Sequence, residues 1–188
     1  MTLLKIDRGR DFSGGDRWRW GTPASVFDPL HAALDFDLDL CADEGTTLLA
    51  RWTDDVFAEV EPFRAGWMNP PYSAPGRPRG SRGTGAFVDR CAELASLHGA
   101  LTVALVPSST DALWWRRAER RAAMTLLLRR LAFRRPDGTV GGLSPTGISA
   151  FVFGAGRVRL GIYPWHPPEP LPEAVAVLAR GRHMTRRA

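Results

Sequence analysis

Residues 66–72 read Gly-Trp-Met-Asn-Pro-Pro-Tyr, an apolar run that ends in an amide, two prolines and a phenol. Proline fixes φ and has no backbone N–H, and it drives the residue before it into extended conformations. Asn69 and Pro70 both precede a proline, so both are held extended. Their carbonyls face ring nitrogens that cannot donate, which leaves them free to accept from another group. A stiff corner of acceptors with the ring of Tyr72 beside it suits a flat group bearing an N–H₂, such as the exocyclic amine of a base. Asn-Pro and Pro-Pro pairs also mark plain turns, so the rest of the chain has to discriminate.

Such a corner does chemistry only if other groups are brought to it. Residues 36–42, "FDLDLCA", alternate apolar and acidic side chains and read as a strand with Asp39 near its C-terminal end. Residues 63–68 predict a short strand leading into the turn. Residues 100–109 are a continuous apolar run, the mark of a buried strand in a parallel sheet. Apolar residues at 87, 88, 91, 94 and 95 predict an amphipathic helix, with Gly99 as its terminator. Residues 111–123 predict a helix with one strongly basic side, and "MTLLLRRLAF", "ISAFVFG" and "RVRLGIY" predict further strands.

Upstream, Thr22-Pro23 reads as an N-cap followed by proline at the first helical position. Asp28-Pro29 repeats the signal and predicts a second helical segment, with Leu30, Ala33 and Leu34 facing inward. Strands alternating with helices predict an α/β fold with a mostly parallel central sheet and helices on both faces. Ligands of open α/β sheets bind outside the carboxyl ends of the strands. Asp39, Asn69 and residues 108–110, beginning at Ser108, fall at predicted strand ends and would share one rim.

The 188 residues suffice for one domain with a real core. Residues 1–19 read as a polar lead-in, 20–163 as the domain, and 164–188 as a Pro-rich tail with a short apolar helix and a frayed basic end. No apolar run is long enough to span a bilayer, and the first residues lack the apolar segment of a secretory signal. Cys41 and Cys91 lie outside any C-x-x-C pattern, which argues against a disulfide framework or a zinc site and fits a reducing compartment. His31, His98, His166 and His183 form no ligand spacing.

The net charge is +5, and every cation except Lys5 is Arg, the side chain best matched to phosphate. A GC-rich genome produces the same bias, so charge is compatible with nucleic acid without requiring it. The Gly/Pro/Arg loop at 73–85 is long for a compact domain, and such loops are functional or disordered.

Taken in order, Trp20-Gly21-Thr22-Pro23, "VFDPL", "FDLDLCAD", "GWMNPPY", "VALVPSSTDALWW", "RRLAF" and "SAFVFG" resemble the phage-type, Dam-like DNA N6-adenine methyltransferases. The resemblance covers residues 18–155. It implies a Rossmann-like methyltransferase fold and transfer of a methyl group from S-adenosyl-L-methionine to adenine N6 in double-stranded DNA. Asn69 and the Pro70 carbonyl would accept the two amine hydrogens, in the corner that Pro71 stiffens, and Tyr72 would stack on the flipped base.

An adenine amine is a poor nucleophile because its lone pair is delocalised into the ring. Two aligned acceptors draw its nitrogen toward tetrahedral geometry. Catalysis is then mostly positioning and electrostatics, with no metal required. The resemblance places Thr22 and Pro23 near the methionine moiety and Asp39, Cys41, Ala42 and Asp43 in the cofactor loop. Asp54 or Asp55 would accept from the cofactor's adenine amine. Arg77, Arg79 and Arg82 of the long loop, Ser108, and Arg116, Arg117, Arg120 and Arg121 of the basic helix would contact DNA. A bacterial cytoplasm and a phage or prophage origin complete the expectation.

One departure stands out. The glycine-rich cofactor loop of better-known methyltransferases is missing, and residues 39–47 offer only Gly45. The same corner also suits a cytosine N4 amine or a protein glutamine amide, and a chain that binds DNA without methylating it is a further alternative.

Overall fold

The computed structural model describes residues 20–72, 83–135, 137–154 and 159–184. Thr22 and Pro23 lead into helix α1 (Ala24–Leu34). One continuous helix replaces the two predicted segments, with Pro29 inside it and Pro23 as its N-cap. The predicted Thr22 cap does not form. Val26, Phe27, Leu30 and Leu34 make one buried stripe. Burying each such side chain is worth about 1.5–3 kcal/mol, which outweighs the roughly 3 kcal/mol that an internal proline costs. Asp35 closes the helix in a left-handed conformation at φ 50°, its N–H donating to the His31 carbonyl.

Strands β1 (Leu38–Asp39) and β2 (Ala65–Met68) follow without an intervening helix. Next come α2 (Thr84–Leu97), β3 (Leu101–Pro107), α3 (Leu113–Arg121) and β4 (Met124–Leu128). A hairpin of β5 (Ala132–Arg134) and β6 (Val140–Leu143) precedes β7 (Ile148–Phe153), β8 (Gly161–Pro164) and α4 (Glu173–Met184).

Six strands form one sheet in the order β1-β2-β3-β7-β4-β8. The pairs β1–β2, β2–β3 and β4–β8 are parallel, while β7 runs antiparallel to both of its neighbours. The sheet is therefore mostly parallel, as the alternation of elements predicts, with one reversed strand. The reason for the reversal is local. β7 follows β4 through a hairpin rather than a crossover helix, so it starts at the end where β4 finished and runs back.

The pleat sends alternate residues to opposite faces. Trp67, Leu101, Val103, Leu105, Leu126 and Val152 meet α1 and α4 on one side. Met68, Ala104, Val106, Phe151 and Phe153 meet α2 and α3 on the other. Helices thus cover both faces. Trp165, Val175 and Leu178 are buried in the same cluster as α1, and α4 ends at Met184. Among the described residues no helix is long and apolar enough to cross a membrane.

Candidate active site

Because β1, β2 and β3 are parallel, their carboxyl ends open on one rim. Asp39 closes β1, Asn69 follows β2 directly, and Ser108 follows β3. The start of β2 is fixed by Asp37, whose carboxylate accepts from the Arg64 N–H at 3.0 Å and the Ala65 N–H at 2.7 Å. Every residue of β2 is buried, so Asn69 leaves a strand that cannot shift without disturbing both clusters.

The Asn69 amide is held at both ends. Its Nδ2 donates to the Trp20 carbonyl at 3.0 Å, and its Oδ1 accepts from the Tyr72 hydroxyl at 2.8 Å. A carbonyl can only accept, so the amide cannot flip without losing that bond. Oδ1 keeps a second lone pair. Among the described residues no hydrogen bond ends on the Pro70 carbonyl. Tyr72 is half-buried, packs edge-to-face on Phe133 at 5.8 Å, and burial raises its phenol well above the ordinary value. The Thr84 hydroxyl donates to the Tyr72 carbonyl at 2.8 Å and ties the corner to the start of α2.

Asn69 shares an open cleft with Trp20, Thr22, Asp39, Cys41 and Ala42. Thr22 is 2% exposed, and its hydroxyl has no hydrogen-bond partner. Asp39 is 3% exposed, and burial pushes its carboxyl up to about 6. It accepts from the N–H groups of Leu48 at 3.2 Å and Cys41 at 3.4 Å, so the loop after β1 wraps around it. Asp43 shapes that loop from within, accepting from the Gly45 N–H at 3.0 Å and the Thr46 hydroxyl at 2.9 Å. Side-chain bonds to backbone thus organise a loop that lacks the usual glycines.

Other predicted residues lie elsewhere. Pro23 caps α1 beside the cleft. Asp54 and Asp55 are exposed and do not line the cleft, and the Asp55 carboxylate accepts from the Phe57 N–H at 3.0 Å. Ser108 is bonded to Ser149 at 2.8 Å, and Ser149 also accepts from the buried Trp115 indole. Arg116 reaches the Thr110 carbonyl at 3.4 Å. Arg117 and Arg121 both pair with Asp89, at 2.6 and 3.0 Å, and fasten α3 to α2. Arg120 is exposed. Arg77, Arg79 and Arg82 lie outside the described residues.

Two features escape the sequence reading. One is the Trp20 carbonyl, a main-chain group whose role depends on a contact 49 residues away. The other is the β5–β6 hairpin. Gly21 and Arg134 exchange backbone hydrogen bonds at 2.8 and 2.9 Å, so the hairpin carries the Trp20–Thr22 segment as a third strand-like edge. Asp137-Gly138 was the available signal, since Asp-Gly between strand-forming residues is a strong hairpin mark.

The family model described as DNA N-6-adenine-methyltransferase (Dam) matches residues 12–146. A chain from a structural study of complex assembly and conformational transition of the type I R-M system is similar at 16% identity and a TM-score of 0.37. The match covers 69% of this chain and 29% of that one, so this chain spans less than a third of its length, and so faint a likeness carries no weight below. No curated protein matches.

Proposed function

The chain belongs to the Dam family of DNA N-6-adenine-methyltransferases, and on that premise we propose that it methylates adenine N6 in double-stranded DNA with S-adenosyl-L-methionine, on a Rossmann-like fold. One observation carries the reading: Asn69, Asp39 and Thr22, whose buried hydroxyl has no partner, line a single cleft at the carboxyl ends of parallel strands.

The donor set fits the cofactor. A buried hydroxyl without a partner is costly, and a ligand carboxylate satisfies it. Thr22 would therefore donate to the methionine carboxylate. Asp39 would accept from ribose hydroxyls, with Cys41 and Ala42 forming the wall of the site. Bound there, S-adenosyl-L-methionine supplies an electrophilic methyl group. At the other end of the cleft, the free lone pair of Asn69 Oδ1 and the Pro70 carbonyl would accept hydrogen bonds from the two N–H groups of the adenine amine. Pro71 keeps that corner rigid, and Tyr72 would line the flipped base. Removing one pre-oriented hydrogen-bonding group at a reacting centre costs about 10²–10³ in rate, and the same scale is expected here.

The test is nucleoside analysis of DNA from a methylation-free bacterial host that expresses the chain. N6-methyladenine in that DNA supports the reading. N4-methylcytosine alone would move the acceptor to cytosine. Unmodified DNA from a protein that still binds S-adenosyl-L-methionine in calorimetry would overturn DNA methylation altogether.

A further inference from the structure

We infer that the β5–β6 hairpin is a docking ribbon for duplex DNA, gripping the phosphates that flank the target base. The inference rests on the proposed function for its partner, and on the distribution of charge for its place.

On the helices, Arg116, Arg120 and Arg180 have no carboxylate within ion-pair distance among the described residues, but several other arginines do. Arg51, Arg64, Arg90, Arg117, Arg121 and Arg159 each face a carboxylate within ion-pair distance. Among the described residues no carboxylate stands that close to Arg129, Arg130, Arg134 or Arg135. These four cations are concentrated on one hairpin and its lead-in. The single acid of that stretch, Asp137, is turned onto Thr139, accepting from its N–H at 2.8 Å and its hydroxyl at 2.6 Å. Arg135 still feels the Asp137 carboxylate and donates to the Thr139 hydroxyl at 3.4 Å, so Arg129, Arg130 and Arg134 carry the less compensated charge, which a polyanion would balance.

The hairpin also has the right form. Arg134 is paired with Val140, and Ala132 with Leu143, so these residues share the face opposite the buried Phe133. Val140 and Leu143 are 67% and 56% exposed, and no described helix covers them. The Arg130 guanidinium donates to the Ser144 carbonyl and braces the base of the two strands. The result is a stiff, basic ribbon, backed along β5 by Gly21 and anchored by Phe133, and its exposed face suits the phosphate backbone of a duplex.

Its place completes the case. The hairpin leaves the carboxyl end of β4, the same rim on which Asn69 stands. Backbone bonds link Arg134 to Gly21, and the neighbouring Trp20 carbonyl receives the Asn69 amide. Arg135 lies over the Trp20 ring at 5.9 Å. A duplex held by this ribbon is registered directly against the corner that would receive the base.

The test is the salt dependence of binding to duplex oligonucleotides by the full chain. Each lost phosphate contact lowers the slope of log K against log salt by about 0.9. The double change Arg129→Ala, Arg134→Ala should lower the slope by about 2 and weaken binding at least tenfold, while calorimetry with S-adenosyl-L-methionine and thermal melting stay unchanged. Arg129→Gln with Arg134→Gln keeps the side-chain stems and should give the same slope change should the alanine pair fold poorly. Arg180→Ala, on α4, should leave the slope alone. A wild-type slope in both double variants overturns the inference, even where the wild-type protein methylates DNA. Tighter binding of the wild-type protein to RNA or to an acidic peptide than to duplex DNA also overturns it. Absence of methylation by the wild-type protein is a separate result, and bears on the proposed function.

Discussion

The hydroxyl of Tyr72 donates to Oδ1 of Asn69 at 2.8 Å. The ring three residues along is thus more than a surface beside a base: it also fixes the amide that would meet the substrate. Tyr72→Phe keeps the ring and removes only that bond. A neutral hydrogen bond is worth about 0.5–1.5 kcal/mol, so single-turnover methylation should slow roughly three- to tenfold, with KM for DNA little changed. An unaltered rate would reduce Tyr72 to a stacking surface.

Thr22 makes a prediction of opposite sign for stability and for binding. Its hydroxyl is buried without a partner, and such a group costs about 1–3 kcal/mol. Thr22→Val should therefore melt at the wild-type temperature or above it. The same change should weaken S-adenosyl-L-methionine binding about tenfold, measured by calorimetry, because the donor proposed for the methionine carboxylate is gone. Loss of stability together with unchanged affinity would contradict the assignment.

Asp39 sets a pH dependence. Its folded value of about 6 lies above the usual 3.8, through burial. Between those values the folded chain holds more protons than the unfolded chain, so this contribution to stability is full below about pH 4 and is lost as the pH rises through about 6. Two units correspond to a ceiling of about 3 kcal/mol. Wild-type melting should fall across that window relative to Asp39→Asn, in which the group no longer titrates. Ribose hydroxyls favour the ionised carboxylate, so cofactor affinity should rise with pH up to about 6 and level off above it. Affinity independent of pH between 5 and 8 would remove Asp39 from the site.

Much of this arrangement is legible in the residues, and the failures are physical. The apolar spacing of α2 and the run at β3 are local signals, and both elements form where those signals lie. The two prolines of the corner act through their own φ and their missing N–H, so the strand-end turn is also local. Thr22 and Pro29 mislead because helix signals are weak beside burial: the stripe of Val26, Phe27, Leu30 and Leu34 carries one helix across Pro29. The reversal of β7 depends on a hairpin, and β6, with two glycines in four residues, gives almost no strand pattern. The Arg117–Asp89 pair joins residues 28 apart, and so is invisible to any reading of local charge.

The central claim is that the Asn69 amide receives the reacting amine. The most direct measurement is single-turnover methylation of duplex DNA by Asn69→Ala beside the wild-type protein, with S-adenosyl-L-methionine affinity recorded on both. The account predicts a loss of about 10²–10³ in rate at unchanged cofactor affinity. A variant that methylates adenine at the wild-type rate would contradict it.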